Sequence, residues 1–240
     1  MIFQVVAILF VATLVRSTLG FGEALVAVPL LALVIPVKVA APVAALVSIT
    51  VAAVVVVQEW RHVQLRSAAW LIASTLAGIP AGLLLLIRVP EPVVKAVLAV
   101  VIILFSIQSL RSRDWRLSTD RFAWMFGFVA GVLGGAYGMN GPPLAMYGSM
   151  RGWSPGEFRA TLQGYFLPAS AIGMLGYSAV GLWTASVTRL YLLSLPAVVV
   201  AIVIGSRITR RLTPGRFAMA VYAGLVITGS VLLIQAITVL

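Results

Sequence analysis

Long apolar blocks alternate along the chain with short connections rich in Arg, Gly and Pro. A helix crosses the hydrocarbon layer of a bilayer with about 20 consecutive apolar residues. Blocks running approximately from Val39 to Val57, Ala68 to Ile87, Val93 to Leu110, Phe158 to Val180, Val187 to Ile204 and Phe217 to Val239 meet that length. Two further blocks do not fit a single span. Ile2 to Ile35 is interrupted by Gly20-Phe21-Gly22-Glu23, and Phe122 to Met150 by Gly138-Met139-Asn140-Gly141-Pro142-Pro143. Glycine disfavours helix continuation, and proline, lacking a donor, suits a helix start. Each interrupted block therefore predicts two shorter helices meeting at a break, as a hairpin or as a pair of short spans.

The interrupted blocks resemble each other. Phe10-Val11-Ala12 aligns with Phe128-Val129-Ala130, and Gly20, Gly22 and Glu23 then fall on Gly138, Asn140 and Gly141. Both halves follow one plan, a broken pair and then three full spans. The reading is a first transmembrane repeat at residues 1–110, a cytoplasmic linker at 111–121 and a second repeat at 122–240. Internal duplication of this kind is common in transporters. The predicted fold class is an all-α polytopic membrane protein of two inverted repeats with eight to ten membrane-inserted helices.

Composition changes the picture little. Apolar residues fill 62% of 240 positions and charged residues 10%, whereas a soluble domain has roughly a quarter of its residues charged. Mean hydropathy is +1.11. The net charge of +11 forms neither a basic face nor a tail, which argues against nucleic acid. Its residues lie in connections, where Lys and Arg hold loops against the inner leaflet. No cysteine is present and the single His62 lies beside Arg61 in a loop, so thiolate chemistry is excluded and neither a metal site nor a cofactor is implied. Met1 to Gly20 has no basic leader and no small-residue cleavage site, and reads as the first membrane segment rather than a removed signal.

Charge also sets an orientation. With both broken blocks as hairpins, Arg61, Arg66, Arg111, Arg113, Arg116, Arg121, Arg151, Arg159, Arg207, Arg210, Arg211 and Arg216 share one side, leaving Lys38, Arg88, Lys95 and Arg189 on the other. With single crossings the same residues divide nine against seven. The lopsided division favours the hairpins, inverts the second half relative to the first, and places both termini outside a cell inner membrane. Trp60, Trp70, Trp115, Trp124, Trp153 and Trp183 lie mostly near predicted helix ends, as interfacial anchors do.

Candidate chemistry gathers at the breaks. Helices starting at Glu23 or Gly141 would aim unsatisfied N–H groups and a positive dipole end inward, and Gly20, Gly22 and Gly138 would let an anion approach the backbone. Arg16 lies too deep for a loop charge. It either contacts a substrate anion, pairs structurally with Glu23, or snorkels to an interface. Glu23 either carries protons or neutralises Arg16. Asn140 either donates to an oxyanion or caps the second half-helix. Tyr137, Gln163 and Tyr165 could add polar contacts, or serve ordinary helix–helix hydrogen bonds. Gly131, Gly134 and Gly135 suit close helix packing, and Pro29, Pro42, Pro80, Pro168 and Pro196 suit kinks.

At the two breaks the chain resembles the TauE/SafE family of membrane permeases. The carrying residues are Gly20-Phe21-Gly22-Glu23-Ala24-Leu25-Val26-Ala27-Val28-Pro29-Leu30-Leu31 and Gly138-Met139-Asn140-Gly141-Pro142-Pro143, the latter followed by Phe158-Arg159-Ala160. The resemblance spans essentially the whole chain. It implies secondary transport, often export, of sulfur-containing anions such as sulfite, sulfoacetate or other organosulfonates. Glu23 departs from the glycine or apolar residue more usual after the first Gly-x-Gly, and its fixed charge would repel a dianion.

The expectation is a small-anion carrier working by alternating access, with proton coupling and assembly of several copies left open. A channel is the first alternative, although no ring of charge is present to act as a filter. A membrane-embedded enzyme is the second. It would need an acid pair, an acid–histidine constellation or an activated serine, and Glu23 is the sole acid placed within the membrane.

Overall fold

A computed structural model describes residues 1–59, 64–111, 117, 119–209 and 214–239. Trp60, Arg61, His62, Arg113, Trp115, Arg116, Arg210 and Arg211 lie outside the described residues. Among the described residues there are ten α-helices: α1 Ile2–Leu19, α2 Glu23–Ala32, α3 Val37–Glu59, α4 Leu65–Arg88, α5 Glu91–Leu110, α6 Ala123–Tyr137, α7 Gly141–Met150, α8 Pro155–Ala179, α9 Ala185–Thr209 and α10 Pro214–Val239.

The helix boundaries follow from local chemistry. At α8 the Ser154 hydroxyl accepts from the Glu157 amide while the Glu157 carboxylate accepts from the Ser154 amide, with Pro155 in the first turn. This reciprocal arrangement satisfies two otherwise orphaned donors. Pro92 opens α5, and Pro142 and Pro143 open α7, where a missing N–H costs nothing. Pro29, Pro42, Pro80, Pro168 and Pro196 sit inside helices that continue through them.

Among the described residues, six helices are long and apolar enough to cross a membrane: Ile2–Leu19, Val37–Val57, Leu65–Arg88, Glu91–Leu110, Ala185–Gly205 and Val221–Thr238. The first interrupted block divides at its break into α1 and α2, as the sequence reading expects, and α1 by itself qualifies as a span, being about 27 Å long at 1.5 Å per residue. One block differs from the sequence reading. α8 is 25 residues long but is not among the six. Its Thr161, Gln163 and Ser170 are buried inside the protein, so it exchanges apolar character for interior hydrogen bonds.

The principal packed pairs are α4 with α6, α1 with α9, α5 with α10, and α3 with α8. The first is a backbone-to-backbone contact. A Cβ on Gly131 would lie 2.4 Å from the Thr75 carbonyl oxygen and 2.9 Å from the Gly78 Cα, and one on Gly135 would lie 2.2 Å from the Ile79 oxygen. Gly78 and Gly82 answer from α4, where a Cβ would meet the Phe128 and Val132 carbonyl oxygens. Small residues let membrane helices approach until backbones touch. Gly134 does something else, facing the Asn140 side chain.

Candidate functional site

The two breaks are built alike at the backbone. α1 ends at Gly20, which is left-handed at φ 83°, with its N–H bonded to the Arg16 carbonyl. α6 ends at Gly138, left-handed at φ 64°, with its N–H bonded to the Gly134 carbonyl. Only glycine adopts that conformation without a steric penalty. At Gly138 a side chain would also collide with the Ala41 carbonyl oxygen of α3, 2.7 Å away. The second helices start at Glu23 and Gly141. Their caps differ: Gly22 is left-handed at φ 96°, while Asn140 has φ −94°.

The chain doubles back at the first break. The Glu23 carboxylate accepts from Thr13 at 3.2 Å and from Arg16, residues one turn apart on α1. α2 therefore begins beside the last turns of α1 rather than continuing their line. The Arg16–Glu23 pair is 2% and 1% exposed, so neither charge is served by solvent. Arg16 also donates to the Ser48 hydroxyl at 2.9 Å and to the Gln163 side-chain oxygen, and its guanidinium carbon lies 5.0 Å from the Phe166 ring centre. Gln163 then donates to the Gly20 carbonyl at 2.7 Å, and Ser170 donates to Ser48. A buried ion pair persists only when further hydrogen bonds offset its desolvation, and α3 and α8 supply them. The Arg16 Nε has no hydrogen-bond partner among the described residues.

A cavity of about 260 Å³ adjoins this cluster. Arg16, Ser17, Arg159 and Gln163 form its polar lining, and valines and an isoleucine from the C-terminal halves of α3 and α9 form the rest. The Arg159 stem packs on Gly20, so that a Cβ there would meet its Cγ at 3.3 Å. Arg159, Ser48 and Thr13 were not among the residues singled out for the site. Arg159 had been counted with the loop charges, and its signal was the Phe158-Arg159-Ala160 segment quoted with the second motif.

The other candidates fall elsewhere. Asn140 is buried at the start of α7 but its side chain makes no capping bond. It lies in reach of the Tyr165 hydroxyl, which is bonded to Thr75 at 2.5 Å. Tyr137 donates to the Val94 carbonyl of α5 at 2.9 Å, away from the cavity lining. Gly141 faces Phe166, whose ring tip is 3.7 Å from where its Cβ would be. Phe166 thus joins the breaks, with Gly141 at its tip and Arg16 over its face.

These features define a polytopic membrane protein holding a buried Arg16–Glu23 pair beside a small cavity. The chain matches the family model described as Sulfite exporter TauE/SafE over residues 5–232, and it belongs to that family. It is accordingly a multi-pass membrane protein of a family of transporters of sulfur-containing anions, not an enzyme. The curated proteins and the solved structures with which the chain was compared gave no match.

Proposed function

We propose that this protein is a secondary carrier exporting small sulfur-containing anions, such as sulfite, sulfoacetate or another short organosulfonate, by alternating access. The observation that carries the reading is the cavity between α1, α3, α8 and α9, with Arg16, Arg159 and Gln163 on its wall. Glu23 offsets Arg16, and Arg159 brings a second guanidinium to the same wall, donors suited to the oxygens of a sulfur oxyanion. A cavity of about 260 Å³ is below the range typical of drug-sized ligands and suits a sulfonate head with a short tail.

The halves at 1–110 and 122–240 are inverted repeats joined by a cytoplasmic linker at 111–121, with both termini outside. Helix pairing supports this. Exchanging the halves turns the α1–α9 pair into α6–α4, and α3–α8 and α5–α10 into themselves. The left-handed Gly20 and Gly138 and the helix starts at Glu23 and Gly141 fall at the positions the two halves share. Broken helices at such a repeat interface are where carriers of this construction bind substrate. Glu23 acts as the partner of Arg16 rather than as a proton carrier, because Arg16 and Thr13 both hold it.

The test is flux of labelled sulfite and sulfoacetate in proteoliposomes, with and without a pH gradient, for wild type, Arg16→Ala, Arg159→Gln and Glu23→Gln. Saturable flux weakened by Arg159→Gln, with any gradient response kept in Glu23→Gln, is expected. Flux unaltered by either arginine change would remove the site. A gradient response abolished in Glu23→Gln would make that residue the proton carrier.

A further inference from the structure

A second polar cluster lies outside the cavity. The Asp120 carboxylate, in the short 3₁₀ turn Asp120–Phe122 before α6, accepts from the Ser67 hydroxyl at 2.9 Å and the Tyr147 hydroxyl at 2.6 Å. The same oxygen pairs with Arg151 Nε at 3.3 Å, and Arg151 also donates to the Leu117 carbonyl at 3.0 Å. Asp120 therefore ties the start of α4 to the end of α7 and fixes Arg151 between them. Beside it opens a cavity of about 540 Å³, lined by Arg66, Trp70, Asp120, Arg121, Trp124 and Arg151.

Three arginines and one carboxylate leave this pocket two positive charges. Among the described residues neither Arg66 nor Arg121 forms an ion pair, so that charge is available. Trp70 and Trp124 are 57% and 58% exposed within the first two turns of α4 and α6, at the ends of apolar helices. Below them on the same helices Leu76, Met125, Phe128 and Val129 are exposed, forming a surface suited to acyl chains. A basic pocket floored by its own hydrogen-bond network, flanked by interfacial tryptophans and continuous with a lipid-facing apolar surface, has the chemistry of a headgroup site.

We propose that this pocket binds the phosphodiester headgroup of an anionic phospholipid, with Arg66 and Arg121 as the mobile clamps and Arg151 as the fixed one. The lipid is favoured over free phosphate because the exposed apolar helix surface continues from the rim, where a soluble anion has no use for it. Such a ligand would hold the entry of α6 and the exit of α7 at the bilayer surface.

The experiment is native mass spectrometry of the full chain in detergent, titrated with dioleoyl phosphatidylglycerol or dioleoyl phosphatidylcholine, and with phosphatidylglycerol in the presence of millimolar inorganic phosphate. Arg66→Gln/Arg121→Gln is compared with Arg88→Gln/Arg189→Gln, a control of equal charge change at other helix ends. Expected are retained phosphatidylglycerol adducts, roughly 25-fold weaker in the first variant from about fivefold per arginine near a headgroup, unchanged in the control and unmoved by phosphate. Equal weakening in both variants, undiminished binding in Arg66→Gln/Arg121→Gln, or equal retention of phosphatidylcholine would overturn the site. Displacement by phosphate would overturn the lipid as its ligand.

Discussion

The two helix breaks share a left-handed glycine at the end of the first helix and differ in most of what surrounds it. The first holds a buried ion pair beside a cavity. The second holds a neutral cluster of Asn140, Tyr165 and Thr75, beneath an α4–α6 contact in which glycine backbones touch. α1 meets α9 with a single glycine, Gly205, against Ser17 and Leu14, and the interior cavity opens next to that contact. Two similar glycine-ended breaks thus yield a side built to hold charge and a side built to hold shape.

The largest expected effect breaks the charged side. Arg16→Ala leaves Glu23 buried without its cation and should cost about 3–5 kcal/mol, read as a lower midpoint of thermal unfolding in detergent. Arg16→Ala/Glu23→Ala should recover most of that loss. A double variant no better than the single one would assign the stability to Ser48 and Gln163 instead.

The shape-holding side should respond to volume. Gly131→Val puts side-chain atoms where the Thr75 carbonyl and the Gly78 Cα stand, and backbone cannot step aside as a side chain can. A loss of about 1–3 kcal/mol is expected, with midpoint again the measure. Smaller still is Tyr165→Phe, which removes the hydroxyl shared with Thr75. It should cost about 1 kcal/mol and leave the KM for substrate unchanged. A raised KM would bring the second break into the binding site and erase the distinction.

The mildest test uses pH. Burial pushes the Asp120 carboxyl up, but hydrogen bonds from Tyr147 and Ser67 and the charges of Arg151 and Arg66 outweigh it, holding the group below its ordinary value of 3.8. A carboxyl depressed in the folded state stabilises fully above that value, and the contribution is lost as pH falls below it. Hydrogen exchange at the C-terminal end of α7 should therefore stay slow down to about pH 4 and quicken below it. Asp120→Asn should abolish that acid dependence while leaving exchange around the first break unaltered.

Much of this frame was legible in the chain. Glycine pairs within apolar blocks located both breaks, and the helix starts at Glu23 and Gly141 fell where the repeats aligned. Gly131 and Gly135 were read as packing residues, and each lies against α4. Arg16 and Glu23 were legible as candidates because a charge inside an apolar block has few uses. Which use it had was not legible, because Thr13, Ser48 and Gln163 reach Arg16 and Glu23 from as far as 147 positions away along the chain. Arg159 was misplaced for a related reason. Near a helix start a long basic side chain reads as loop charge, and only the fold lays its stem across Gly20. Tyr137 and Asn140 stand three positions apart across the second break, yet one bonds to Val94 and the other lies toward Tyr165.

The sequence by itself therefore determined the solvent, the helices and the places where they break. Those follow from hydropathy and backbone sterics, which act over one or two turns. Tertiary structure alone decided what the charge at the first break would pair with and where the cavity would lie. A buried ion pair is stable only in the company of donors and acceptors brought from other helices, and local sequence cannot specify that company.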